Sequence, residues 1–267
     1  MSTVERPDGV RIHWQPRGDG PLVVICQVVW GYPGVYEKFI ADLARDHCVV
    51  VYDPRGHGKS SREGPYDVEA DRDDLAAVVE AAGENAIAVA VGNGFNRAVR
   101  VAADRPDLIS RVVGVGPTAA FVLPWSELRR AGGLAGSDSV AELILTMLET
   151  EPRAALRTLI ATTNPDLDEE ALRARSQLVA EYASPQAVRE RVRAWLADDV
   201  RDEAAALGAR LWILHAGDDA LFDGTSSSRV PDLFPEAHVE RFDHGLVSRP
   251  NLVARKIREL TGVASPS

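Results

Sequence analysis

Two cysteines in 267 residues, Cys26 and Cys48, cannot make a disulfide framework, and both sit in apolar runs. They read as core thiols in a reducing compartment. No apolar run approaches the length of roughly 20 residues that a membrane-spanning helix needs. The start, Met1 to Val10, is polar and has no apolar signal-peptide core, so the expectation is a cytoplasmic protein without a membrane partner. Basic charge is also short: 30 Lys and Arg stand against 40 Asp and Glu, a formal charge of −10. So acidic a surface argues against nucleic acid as the main partner. Metal-ligand spacing such as His-Glu-x-x-His or paired Cys is absent, and the chain is expected to need no metal or other cofactor.

What is there is ordinary for a globular protein, with 45% apolar and 26% charged residues and ample length for a large buried core. Asp8-Gly9 marks a turn, and Val10 to Trp14 then alternates like a strand. Five continuous apolar runs follow: Leu22–Cys26, Cys48–Tyr52, Ala86–Val91, Val112–Val115 and Leu211–Leu214. Runs of this kind suit strands buried on both faces of a parallel sheet. Helical patterns over Tyr36–Arg45, Asp67–Ala82 and Arg97–Asp104 separate them. Strand and helix alternating in this rhythm predict a doubly wound α/β sheet. The rhythm breaks between Phe121 and Leu207, which reads as helical throughout, with interruptions at Gly132-Gly133, Asn164-Pro165 and Ser184-Pro185. The expected organisation is a core of residues 1–120 and 208–267 with a helical cap, 121–207, over the carboxyl ends of the strands, where such sheets bind ligands.

Three phosphate motifs nearly form and fail. Gly58-Lys59-Ser60 ends like a P-loop, but the glycine needed five positions earlier is Asp53. Gly92-Asn93-Gly94-Phe95-Asn96-Arg97 lacks the third small residue of a dinucleotide fingerprint. Gly114-Val115-Gly116-Pro117-Thr118-Ala119 matches a loose form of it, with no acidic residue at a strand end about twenty residues later. A nucleotide enzyme is therefore a minor alternative.

Tyr52-Asp53-Pro54-Arg55-Gly56-His57-Gly58-Lys59-Ser60, after a buried strand, resembles the Asp-x-Arg-Gly-x-Gly-x-Ser turn of α/β-hydrolase-fold enzymes. The resemblance extends over nearly the whole chain. Val91-Gly92-Asn93-Gly94-Phe95-Asn96 falls where that family has its nucleophile elbow, Gly217-Asp218-Asp219-Ala220-Leu221 where it keeps its catalytic acid, and Phe242-Asp243-His244-Gly245 where it keeps its histidine. Elbow, acid and histidine stand in the family order. The implied fold is the α/β-hydrolase fold, mostly parallel, with a helical cap inserted late in the chain.

The departures carry as much information as the matches. The elbow pattern is Gly-x-Ser-x-Gly, and the nucleophile position here is Gly94, with Asn96 at the final glycine. A nucleophile on that strand-to-helix turn has a positive φ, which glycine adopts freely, so Gly94 would keep the turn and drop the chemistry, leaving room above it for water or a bulkier substrate. Neither Asn93 nor Phe95 is a nucleophile, so a shifted register does not restore one. After Cys26 the family usually carries His-Gly-x, the amide of x being half of an oxyanion hole. An ungapped count puts Gln27-Val28-Val29 there, and a three-residue shift would use Trp30-Gly31-Tyr32. The amide of Phe95 would supply the other half. His244 with Asp219 remains as an acid–base pair, Asp219 being preferred to Asp218 because Asp-Ala-Leu resembles the family's Asp-Pro-Leu. Gln27, Asn93, Asn96 and Arg97 are candidates for a polar pocket floor, with first-turn helix residues facing solvent the competing reading of the last two. Trp30, Tyr32, Tyr36 and Trp125 are candidates for an aromatic cleft mouth, and core packing explains them equally.

The function these residues imply is an enzyme of the hydrolase type without a serine nucleophile. His244 supported by Asp219 acts as base, and the amides of Phe95 and Val29 steady an oxyanion on a small, fairly apolar carbonyl compound. The reaction is left open among lyase, cyclase, isomerase and water-attack types. Two alternatives stand beside it: a catalytically silent ligand-binding homologue, and an ordinary serine hydrolase with a Ser→Gly change engineered at 94. The sequence leaves the oligomeric state open.

Overall fold

The computed structural model describes residues 2–117, 137–163, 167–216, 230–242 and 250–263. Among the described residues eight strands form one sheet: β1 (Ser2–Glu5), β2 (Arg11–Arg17), β3 (Leu22–Cys26), β4 (Cys48–Tyr52), β5 (Ala86–Val91), β6 (Ile109–Val115), β7 (Leu211–Ala216) and β8 (His238–Phe242). Their order across the sheet is β1-β2-β4-β3-β5-β6-β7-β8. The β1–β2 and β2–β4 pairs are antiparallel, and every pair from β4 to β8 is parallel. This is the α/β-hydrolase fold expected from the sequence. All six strands read from the sequence are present, and the two outermost strands, β1 and β8, are additions to that set.

The helices are α1 (Glu37–Leu43), α2 (Val68–Ala82), α3 (Gly94–Asp104), α4 (Ser137–Thr150), α5 (Pro152–Thr163), α6 (Glu169–Tyr182), α7 (Pro185–Ala197), α8 (Arg201–Leu207), α9 (Val230–Leu233) and α10 (Pro250–Thr261). Local chemistry marks their starts. Asp67 accepts from the Ala70 amide at 2.8 Å and Asp168 from the Ala171 amide at 2.8 Å. Ser184 caps α7 ahead of Pro185, whose missing N–H costs nothing in the first turn. None of the described helices is long and apolar enough to cross a membrane.

Continuous apolar strands are explained by cores on both faces. Along β3, Val23 and Ile25 enter the core shared with α1 and α10, while Val24 and Cys26 enter the one shared with α2 and α3. The second core continues without a break into the helices between β6 and β7: Leu156 and Leu159 of α5, Val179 of α6 and Val192 of α7 belong to the same cluster as Leu75 and Phe95. The stretch expected to be a cap is thus helical where described, and its helices share the hydrophobic core of the sheet. On the opposite face α10 is tied to α1 by Arg258, which pairs with Asp42 at 3.1 Å and Asp46 at 2.8 Å.

Candidate functional site

The carboxyl ends of β3, β4 and β5 open into three loops that meet under α6 and α7. After Val91 the chain turns at Gly92, whose φ is 54°, passes Asn93 and enters α3 at Gly94. The left-handed residue expected at 94 is therefore two positions earlier, and Gly94 is already helical. Space above Gly94 was also expected, and the structure corrects this. A Cβ there would overlap the carbonyl oxygen of Cys26 and lie 2.8 Å from its carbonyl carbon and 3.1 Å from the oxygen of Gln27. The first turn of α3 is packed directly on the end of β3, and only a residue without a side chain permits that approach.

Both amides expected to hold an oxyanion have partners in this arrangement. The Phe95 amide donates to the Gly92 carbonyl at 3.1 Å. The Val29 amide donates to Oδ1 of Asn93 at 2.9 Å. Asn93 stands at the N-cap of α3 without capping it, because its side chain serves the β3 loop instead.

The two residues after Phe95 are buried rather than facing solvent, Asn96 at 7% and Arg97 at 3% exposure. Arg97 donates to the carbonyl of Gln27 and pairs with Asp71 of α2 at 2.8 Å. The second oxygen of Asp71 takes Arg191 of α7. Burial alone would raise the Asp71 carboxyl, but the guanidiniums of Arg191 and Arg97 overcome it and hold it at about 2. Asn96 donates through Nδ2 to Asp198, just beyond α7, at 2.7 Å, and Asp198 also pairs with Arg100. Helix α3 is thereby bound through charged groups to α2, to α7 and to the β3 loop.

A second chain of hydrogen bonds runs from Gln27 through Tyr182, the last residue of α6, to the β4 loop. Gln27 Nε2 donates to the Tyr182 hydroxyl at 2.8 Å, and that hydroxyl donates to Asp53 Oδ1 at 2.8 Å. The other oxygen of Asp53 accepts from the Lys59 amide at 2.9 Å. Gly58, with φ 49°, leaves space that a Cβ would take from this carboxylate. The near P-loop thus wraps the chain's own carboxylate. His57 lies with Nε2 2.9 Å from the Val29 carbonyl and Nδ1 3.2 Å from that of Arg55. Burial, reinforced by Arg191, lowers its pKa to about 4, so the ring is neutral and donates through one nitrogen. Of the aromatics read as a cleft mouth, Trp30 packs against Trp195 with centroids 6.1 Å apart and Tyr32 against Tyr182 at 5.6 Å, both on the inserted helices, while Tyr36 packs against the core shared with α1 and α10. Cys26 is fully buried, its thiol pushed up to about 12 by burial, and is inert.

Gln27, Val29, Trp30, Asn93, Gly94 and Phe95 therefore do come together at the ends of β3 and β5. His244, Asp219, its neighbour Asp218, and Trp125 lie outside the described residues. Sequence reasoning missed Asp71, Tyr182, Arg191 and Asp198. Each sits in an amphipathic helix or a helix end and carries no local signal. His57 carries no signal in the sequence beyond its place in the turn after β4.

The model of the family described as the α/β hydrolase fold matches residues 21–246. A protein of Azorhizobium caulinodans named as a carbamate hydrolase is 26% identical over 239 residues, 88% of this chain and 87% of that one. Among solved structures, a bromoperoxidase from Bacillus anthracis superposes with TM-score 0.80 at 22% identity, over 97% of this chain and 98% of its own. An esterase from Exiguobacterium antarcticum does so with TM-score 0.81 at 16% identity, over 98% and 99%. Strand order, motif order and these matches agree, and the chain belongs to the α/β-hydrolase-fold family, an enzyme superfamily.

Proposed function

We propose that this protein is an enzyme of the α/β-hydrolase type that activates water against a small, fairly apolar carbonyl compound and forms no covalent acyl-enzyme. The observation that carries the reading is the overlap of any Cβ at position 94 with the carbonyl of Cys26, which leaves no place for a nucleophilic side chain at the start of α3. His244, oriented by Asp219, takes a proton from water. The resulting hydroxide attacks the carbonyl carbon, and His244 returns the proton to the leaving group as the tetrahedral intermediate collapses. The developing oxyanion replaces the Gly92 carbonyl at the Phe95 amide and Asn93 Oδ1 at the Val29 amide, so the oxyanion hole forms as substrate binds. Water attack is favoured over elimination or isomerisation because the relative from Azorhizobium caulinodans carries a hydrolase name.

The test combines intact-mass labelling by a fluorophosphonate with turnover of a panel of esters, lactones, amides and carbamates. The expected result is no label on the folded protein, and turnover of at least one compound that His244→Ala abolishes. Stoichiometric labelling of a serine, threonine or cysteine, or full activity in His244→Ala, overturns the mechanism. One observation favours a second reading, a silent ligand-binding homologue: both oxyanion amides already have internal partners. Ligand affinity without any turnover, unchanged in His244→Ala, would establish it.

A further inference from the structure

The chain Gln27–Tyr182–Asp53 has a fixed direction. A carboxylate only accepts hydrogen bonds, so the Tyr182 hydroxyl must give its one proton to Asp53. What remains on that hydroxyl is lone pairs, so the Gln27 arm that meets it must be the donor, Nε2. The amide of Gln27 is thereby held in one of its two orientations, and Oε1 is the arm turned away from Tyr182. Gln27 is 2% exposed, and among the described residues this oxygen has no hydrogen-bond partner. The same logic acts on the first turn of α3. Asn96 gives Nδ2 to the Asp198 carboxylate, and its Oδ1 is likewise buried with no partner among the described residues.

Buried acceptors are normally satisfied, so two left over, one on the residue after β3 and one in the first turn of α3, ask for donors from a ligand. An ester or lactone offers none next to its carbonyl. A primary amide or carbamate carries N–H groups on the carbonyl itself. We infer that Gln27 Oε1 is the specificity-determining acceptor of this site and that its ligands are carbonyl compounds with an N–H on the carbonyl carbon, with Tyr182 and Asp53 as the residues that position it. The inference rests on the proposed function only in placing the ligand's carbonyl at the amides of Phe95 and Val29. It narrows the carbonyl class to the N–H-bearing members.

Benzyl carbamate and benzyl acetate differ by an NH2 in place of a methyl group and make the test pair. Their affinities for the full-length protein are measured by titration calorimetry or ligand-observed NMR, with no turnover needed. The expected result is a preference of about tenfold for the carbamate, the scale of one good hydrogen bond to an otherwise unsatisfied acceptor. In Tyr182→Phe, which keeps the ring and removes the relay, the preference falls to within about twofold while the affinity for the acetate is unchanged. A purely structural role for Tyr182 would weaken both compounds alike. Gln27→Met, which deletes the acceptor at similar volume, gives the same loss and serves if Tyr182→Phe does not fold. Equal binding of the two compounds by the wild type, binding of neither, or a preference that survives both substitutions overturns the inference. Failure of the hydrolytic reading shows separately, in the His244→Ala turnover assay.

Discussion

Glycine at position 94 has a steric rather than a conformational reason. The torsion that would strain a side-chain-bearing residue is at Gly92, and what Gly94 avoids is the main chain of Cys26. Gly94→Ser should therefore be destabilising without conferring esterase activity. Overpacking a core costs about 1–3 kcal/mol, and an overlap with backbone belongs at the upper end. For a chain of this size that corresponds to a fall in Tm of roughly 5–10 °C. A melting curve indistinguishable from wild type, or brisk ester hydrolysis by the variant, would contradict the packing described here. Arg97, three residues after Gly94, also has a packing role: its charge is spent on Asp71 and the Gln27 carbonyl and faces no solvent.

At the level of elements, one carboxylate joins three helices. Asp71 from α2 receives Arg97 from α3 and Arg191 from α7. Asp71→Asn would leave two buried guanidiniums around a neutral amide, and the cost of such an uncompensated charge is about 3–5 kcal/mol. Urea denaturation followed by circular dichroism measures it, and a loss below about 1 kcal/mol would mean that water serves these groups instead. The elements themselves were largely legible in the sequence. Strand β2 announces itself by alternation and β3 to β7 as apolar runs, whereas β1 (Ser-Thr-Val-Glu) and β8 (His-Val-Glu-Arg-Phe) are polar outer strands with too few apolar positions to stand out. The sequence signals helix α3 only from Arg97, because its first turn opens with a glycine, which marks a turn more often than a helix. The site was legible only as far as single loops. Gln27 and Asn96 could be singled out, but their partners Tyr182 and Asp198 lie 155 and 102 residues away, at the ends of amphipathic helices, where a tyrosine or an aspartate is unremarkable until folding brings it inward.

For the whole molecule, the buried His57 and the half-buried Asp71 both contribute to the response to acid. The folded His57 titrates at about 4, below the ordinary 6.5, so the unfolded chain takes up its proton first as pH falls. Its contribution is therefore complete above pH 6.5 and is lost progressively between 6.5 and 4, at up to about 1.4 kcal/mol per pH unit. Asp71, held at about 2 against an ordinary 3.8, has the opposite charge and a lower window: its contribution is present above about 4 and lost as pH falls towards 2. Thermal unfolding from pH 7.5 to 4.5 should show a decline that His57→Gln, which retains a donor for the Val29 carbonyl, makes shallower. An identical slope in the variant would remove His57 from the acid response.

The strand order also bears on how the chain comes off the ribosome. Strands β1 to β6 lie side by side without a gap, so they can pair as soon as Val115 has emerged. Strand β7 pairs with β6 along Val112 to Val115, and it is not synthesised until the chain has passed Gly208. Throughout that interval the nascent sheet presents an open edge of apolar residues, and the described residues made meanwhile contain no strand to cover it. The helices between β6 and β7, which share the core of the sheet, are the first material available to shield one face while the edge waits for its partner.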